Sequence, residues 1–138
     1  MALLDVNALV ALAWDSHVHH ATMREWFSSN RKDGWATCPV TESGFVRVSS
    51  NPKVMPHPIA VQTAIGVLAA LRSIDGHVFL SDDVSLTDGD LPHLVGHRQV
   101  TDAHLLTLAR RHQVNLVTFD AGVQDLSDGR GVSLLRAL

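Results

Sequence analysis

The sequence predicts an α/β fold in which helices cover both faces of a central, mostly parallel sheet, giving a three-layer α/β/α sandwich. Short apolar runs of strand length alternate along the chain with segments of helical spacing, which is the pattern of βαβ units. The strand runs are continuously apolar, as expected of strands buried on both faces. With 138 residues, 46% of them apolar and 18% charged, the chain has the size and composition of one domain, 1–138.

Five apolar runs are predicted as strands and five intervening segments as helices, since the latter repeat apolar residues three or four positions apart. The strands are Ala2–Leu4, Trp35–Val40, His77–Leu80, Asn115–Thr118 and Val132–Leu135. The helices are Ala8–Trp14, Ala21–Ser29, Glu42–Val48, Ile59–Leu71 and Ala103–Arg111. The proline-rich stretch Asn51–Pro58 separates two helices, and Asp82–Leu94, which is rich in aspartate, is predicted to be a solvated loop.

Charge and cysteine content narrow the class of protein. Eleven Lys and Arg against fourteen Asp and Glu give a net charge of −3, which argues against a polybasic nucleic-acid-binding surface. The single cysteine, Cys38, cannot form an internal disulfide, and the first residues lack the pattern of a signal peptide. We therefore expect a soluble, cytoplasmic protein without a membrane segment.

Four carboxylates lie where predicted strands end or helices begin, and they are the most informative feature of the sequence. Each alone could be a helix cap. The carboxyl ends of parallel strands meet at one edge of a sheet, however, so all four are expected to converge there. Carboxylates that lie so near to one another destabilise a fold unless a cation compensates their charges. Their oxygen atoms are suitable ligands for Mg²⁺ or Mn²⁺. The predicted metal ligands are Asp5, Glu42, Asp102 and Asp120.

An acidic site of this kind can hydrolyse a phosphodiester with metal-activated water. Other nucleophiles are not indicated: the sequence has no GxSxG motif and no Walker A loop, and Cys38 lies in an apolar run without an evident base.

Four pieces of the chain carry a family resemblance through their order and spacing: LLDVNALVAL (3–12), TESGFVRVSSNP (41–52), VTDAHLLTLARRH (100–112) and LVTFD (116–120). In them the sequence resembles the PIN-domain ribonucleases, and more closely the VapC-type toxins of bacterial toxin–antitoxin modules. The resemblance implies a homodimeric endoribonuclease that depends on Mg²⁺ or Mn²⁺ and cleaves RNA. It also implies a cognate antitoxin protein that occupies the active-site groove.

The resemblance carries the family's acidic cluster over to the same four carboxylates, with Asn7 and Thr118 as their polar neighbours. Asp5, Glu42 and Asp102 are expected to hold metal directly or through its waters. Asp120 is expected to complete a second metal position or to orient the attacking water.

Two other functions remain open from the residues. One is a metal-dependent phosphatase of small phosphorylated substrates, and the other is a non-catalytic RNA-binding PIN domain. Arg47 and Lys53 are candidates for RNA phosphate contacts, although solvated surface positions are an equal alternative.

The remaining features have simpler interpretations. His17, His19 and His20 lie in a helix–helix connection that lacks the cysteines of a structural zinc site, so a local structural or surface role is expected. His104, two residues beyond Asp102 in a helix, is expected to point away from it. The apolar helix 59–74 is expected to be buried, with a dimer contact as the alternative.

Overall fold

The computed structural model describes residues 1–91 and 93–136. In these ranges five strands form one parallel sheet in the order β3-β2-β1-β4-β5. The strands are β1 Ala2–Leu4, β2 Trp35–Thr37, β3 His77–Phe79, β4 Asn115–Thr118 and β5 Val132–Leu134. All five predicted strands are therefore present, and the expected parallel sheet is confirmed.

Six helices cover the sheet: α1 Val6–Ala13, α2 His20–Asn30, α3 Pro39–Ser49, α4 Val61–Arg72, α5 Val100–Arg111 and α6 Ala121–Leu126. Successive strand residues point to opposite faces and so enter two separate cores. On one face Leu4 packs in a core with side chains of α1 to α4. On the other face Leu3 packs in a core with Leu105 of α5 and Val123 of α6. The three-layer α/β/α arrangement is thereby confirmed.

The structure departs from the prediction at β2 and at α6. The predicted strand Trp35–Val40 ends at Thr37, because Cys38 caps α3 and Pro39 occupies its first turn, where the fixed φ of proline suits a helix. Helix α3 consequently begins before Glu42. Helix α6 was not predicted, since its six residues, AGVQDL, are too few to show a helical repeat.

The described residues of the segment Asp82–Leu94 are mostly exposed, as predicted for a solvated loop, but two of its aspartates also contact histidines of α5 or its end. Both carboxylate oxygens of Asp82 lie within 2.9 Å of His104 Nε2, and Asp83 lies 3.4 Å from His112. Pro92, which belongs to this predicted loop, lies outside the described residues.

Helix α4 is only partly covered. It buries Ala64 and Leu68 but leaves Val61 and Ile65 50% and 43% exposed. In the part of the chain that the structure describes, no helix combines the length and the apolar character needed to cross a membrane.

Candidate active site

Asp5 lies at the carboxyl end of β1 and caps α1. Its Oδ1 accepts a hydrogen bond from the Val6 amide at 2.7 Å, and its Oδ2 accepts one from Thr118 Oγ1 at 2.8 Å. The residue is only 7% exposed. Burial raises the pKa of Asp5 above its usual range and the Asp120 charge adds to the rise, while the two hydrogen bonds oppose it. Asp5 is thus a rigidly held carboxylate that is costly to ionise.

Thr118, at the end of β4, joins the two turns that carry Asp5 and Asp120. Its hydroxyl donates to Asp5 and accepts from Asn7 Nδ2 at 3.1 Å and from the Asp120 amide at 3.0 Å. Asn7 Oδ1 in turn accepts from the Phe119 amide at 3.1 Å. Both predicted polar neighbours therefore lie beside the acidic residues and fix the spacing of the β1–α1 and β4–α6 turns.

Asp102 and Asp120 share a cavity of about 620 Å³ with Asp5. Burial raises the pKa of Asp102 to about 6, and the charges of Asp5 and Asp120 contribute to the rise. Asp120 also caps α6, because its Oδ1 accepts the Gly122 amide at 2.8 Å. The carboxyl edge of the sheet and the first turn of α5 thus bring together three of the four predicted carboxylates.

Glu42 is turned to other partners. Its Oε2 accepts a 2.6 Å hydrogen bond from Thr37 Oγ1, and its Oε1 lies 3.3 Å from Nη1 of Arg72. The Arg72 guanidinium also lies over the Phe79 ring, 4.8 Å from its centroid. Glu42 does not line the cavity of the three aspartates. Sequence reasoning missed Arg72, since the pairing depends on how α4 packs against α3.

The other walls of the cavity come from α3, from the segment that follows it and from the α1–α2 connection. Arg47, in the last turn of α3, is the one Lys or Arg among the described lining residues. Lys53 lies outside the lining, where its amide donates to Asn51 Oδ1. Ser16, His17 and Val18 line the cavity from the α1–α2 connection, a contribution that the sequence reasoning did not assign.

The cavity offers a divalent cation three aspartates. Within residues 1–91 and 93–136, no three His, Cys, Asp or Glu side chains are arranged as a ready-made metal site. Mg²⁺, however, keeps several waters and takes only one or two carboxylates together with substrate phosphates. Burial is the main reason why the pKa of Asp102 is raised, and a divalent cation would relieve the smaller contribution that comes from the charges of Asp5 and Asp120. The aspartates therefore fit a weakly ligated Mg²⁺ or Mn²⁺.

The parallel sheet, in the order β3-β2-β1-β4-β5, has acidic residues at its carboxyl edge, the edge at which open α/β sheets bind their ligands. Residues 2–128 match the family described as PIN domain. The chain belongs to the PIN-domain family.

Curated relatives place the chain within that family. It is 69% identical over 130 residues to ribonuclease VapC38 of Mycobacterium tuberculosis, covering 94% of this chain and 92% of that protein. It is 48% identical over 137 residues to ribonuclease VapC39 of the same species, covering 97% and 99%. The chain is a PIN domain of the VapC type.

Solved structures support the fold at low sequence identity. VapBC2 from Rickettsia felis, bound to a DNA fragment from its promoter, matches with a TM-score of 0.69 and 14% identity over 98% of both chains. VapC20 of Mycobacterium tuberculosis, a sarcin–ricin loop cleaving toxin, matches with a TM-score of 0.66 and 14% identity over 99% of this chain and 100% of its own.

Proposed function

We propose that this protein is a metal-dependent endoribonuclease and the toxin of a toxin–antitoxin pair. The observation that carries the proposal is the convergence of Asp5, Asp102 and Asp120 in one cavity that also contains Arg47. Three carboxylates with Arg47 beside them suit a phosphodiester substrate. The carboxylates can hold a metal ion that is recruited together with the phosphate, and Arg47 can pair with a phosphate. The names of the relatives, ribonuclease VapC38 and ribonuclease VapC39, support RNA as the substrate.

The three aspartates have different parts in the proposed reaction. A bound Mg²⁺ or Mn²⁺ would supply a Lewis acid for the phosphate and would lower the pKa of a bound water. Asp5 is fixed by its two hydrogen bonds, so its orientation is set before a ligand arrives. Asp102 holds a proton near pH 6 in the metal-free protein and becomes a ligand when it loses that proton. Asp120 completes the acidic group or orients the attacking water.

Glu42 remains a proposed metal ligand, provided that it can leave its present hydrogen-bond partners. Its carboxylate has to exchange Arg72 and Thr37 for the metal or for a metal-bound water. Because Arg72 is substantially exposed, with 42% of its side-chain surface accessible, the pair contributes little to stability. Losing the Arg72 contact therefore costs little free energy, and Glu42 is assigned as a ligand that binds the metal when substrate is bound.

Arg47 and Lys53 are proposed to contact RNA at different distances from the acidic group. Arg47 lines the cavity itself and can pair with a phosphate close to the scissile one. Lys53 is exposed beyond Asn51, so it is assigned to a phosphate further along the strand.

The proposed partners are a cognate antitoxin and a second copy of the chain. The structural match to VapBC2 supports an antitoxin partner, and we propose that this partner occupies the cavity groove. The exposed Val61 and Ile65 of α4 support a homodimer, because exposed apolar side chains on one helix are suited to a subunit contact. We assign the protein to the cytoplasm, where its buried free Cys38 would stay reduced.

The test is RNA cleavage by the purified protein. Total bacterial RNA is incubated with the wild type, Asp5→Asn and Glu42→Gln, each with Mn²⁺ and with chelator. Cleavage is expected from the wild type with Mn²⁺ only, abolished in Asp5→Asn and reduced in Glu42→Gln. The matched control is Asp75→Asn, an exposed aspartate before β3, which is expected to cleave normally.

Other outcomes select the alternative functions. Identical RNA patterns from all samples would refute the nuclease. Mn²⁺-dependent turnover of p-nitrophenyl phosphate without RNA cleavage would indicate a phosphatase. RNA binding that is unaffected by chelator, again without cleavage, would indicate a non-catalytic RNA-binding PIN domain.

A further inference from the structure

The connection between α1 and α2 is held rigidly over the acidic cavity. At its start, the Trp14 indole N–H donates to Ser49 Oγ at 2.8 Å. The Trp14 ring also lies parallel to Phe45, with an interplanar angle of 7° and a centroid distance of 6.0 Å. Both partners belong to α3, the helix that also carries Arg47. The start of the connection is thereby fixed to one wall of the cavity.

The end of the connection is fixed to the β4–α6 turn and to α1. The His19 ring stacks on Phe119 with a centroid distance of 4.4 Å and an interplanar angle of 6°. Phe119 lies between Thr118 and Asp120, so this stack ties the connection to the acidic turn. His20 Nδ1 lies 2.7 Å from the Ala11 carbonyl oxygen and anchors the first residue of α2 to α1.

His17 lies between these anchors and lines the cavity with the three aspartates. Its Nδ1 accepts the His19 amide N–H at 3.0 Å, so in the neutral ring the proton is on Nε2. Burial lowers the pKa of His17, and the neighbouring His19 and His20 lower it further. The residue is therefore a neutral hydrogen-bond donor, and its Nε2 cannot ligate a metal while Nδ1 keeps the His19 contact.

The other side-chain donors in the cavity lining are Asn7, Ser16, Arg47 and Thr101. One of the two side-chain N–H groups of Asn7 is used by Thr118, and Arg47 lies on α3. Three carboxylates repel a phosphate, so its binding needs further hydrogen-bond donors. A neutral donor is suited to this, because a cationic one would form ion pairs with the carboxylates. A neutral imidazole held in a fixed position meets that need.

We infer that His17 is a substrate-contacting residue whose Nε2–H donates to a backbone oxygen of the RNA beside the metal-held phosphate. The inference rests on the proposed endoribonuclease function and adds to it a residue for substrate binding. In this interpretation the α1–α2 connection positions His17, and the contacts of Trp14, His19 and His20 hold the connection in place.

The experiment compares His17→Leu, which removes the donor, with His17→Gln, whose terminal amide offers an N–H near the position of Nε2. The matched control is His97→Leu, an exposed histidine outside the cavity lining. The probe is a 5′-labelled RNA oligonucleotide spanning the site that the wild type cleaves in total RNA, assayed with Mn²⁺. Loss of one hydrogen bond predicts about a tenfold fall in kcat/KM for His17→Leu. His17→Gln is expected within about threefold of the wild type, and His97→Leu unchanged.

A second measurement separates substrate contact from folding or metal binding. The rise in Tm on adding Mn²⁺ is expected to be the same in His17→Leu as in the wild type. Wild-type cleavage by His17→Leu would overturn the inference and leave the proposed function intact. Equal loss in His17→Gln and His17→Leu, or a lost Mn²⁺ response, would also overturn it by indicating a structural or ligand role. A wild type that cleaves no RNA would refute the proposed function and this inference with it.

Discussion

Replacing Asp102 by asparagine is expected to stabilise the metal-free protein while it weakens the response to metal. The pKa of this carboxyl rises from an ordinary 3.8 to about 6 in the folded chain, which sets an upper limit of about 3 kcal/mol on the cost of ionising it there. Because the side chain keeps access to water, screening reduces that cost to about 1 kcal/mol. An amide of the same shape avoids it.

The gain in stability of Asp102→Asn over the wild type depends on pH. At pH 3 and below, Asp102 is largely protonated in the folded and unfolded chains, so Asp102→Asn and the wild type have nearly equal stability. As pH rises from about 3.8 to about 6, the unfolded chain releases the proton while the folded wild type still holds it, and the stability of the wild type falls relative to the variant. Above that range, 1 kcal/mol corresponds to a Tm about 3 °C higher for the variant in a chain of this length.

The assay is thermal unfolding in EDTA at pH 3, 5, 6 and 7.5, repeated at pH 7.5 with Mn²⁺. The control is Asp75→Asn, which is exposed and is expected within about 0.5 kcal/mol of the wild type at every pH. With Mn²⁺ the order reverses, because the wild type gains more from the metal than the variant does. A variant in EDTA at pH 7.5 that is no more stable than the wild type, or a gain that persists undiminished at pH 3, would refute the reasoning.

Three further predictions concern the hydroxyl of Thr118 and the glycines of α3 and α4. Thr118→Val keeps the shape of the side chain but removes a hydroxyl with three hydrogen-bond partners. Urea unfolding is expected to show a free energy of unfolding that is lower by about 2 kcal/mol. A decrease of less than about 0.5 kcal/mol would contradict this prediction. Gly44→Ala places a Cβ 2.5 Å from Val6 Cγ2, where α1 packs against α3, and a net loss of about 1 kcal/mol is expected after the gain in helix propensity. Gly66→Ala in α4, with no atom within 4 Å of the new Cβ, is expected to be stabilising instead by about 1 kcal/mol; loss of stability in both would contradict the packing argument.

The parts of the fold that the sequence predicted are those set by local pattern. Continuous apolar runs located all five strands, and β1 and β4 have the predicted bounds. The end of β2 was placed too late because Cys38, Pro39 and Val40 continue the apolar run, although proline is common in the first turn of a helix. Patterns of hydrophobicity cannot show such an end when the following helix also begins with apolar residues.

The candidate site divides in the same way. The shared edge of parallel strands is a rule of backbone topology, and it correctly brought Asp5 and Asp120 together. The partner of Glu42 depends on a side-chain rotamer and on Arg72 from another helix, neither of which has a signal in one sequence. The state of His17 depends on a single backbone N–H of its own connection, a contact that the spacing of histidines does not reveal.

The charges of the folded chain favour one bound metal ion at rest over two. The three cavity aspartates equal the whole net charge of −3, so the rest of the chain is formally neutral. Arg47 lies in the same cavity, and one divalent cation would neutralise the remaining two negative charges. The carboxylate of Glu42 is already offset by Arg72, so a second ion would leave the cavity with excess positive charge until an RNA phosphate arrived. Calorimetric titration with Mn²⁺ in the absence of RNA should therefore reach one equivalent per chain, and two tight equivalents would contradict this prediction.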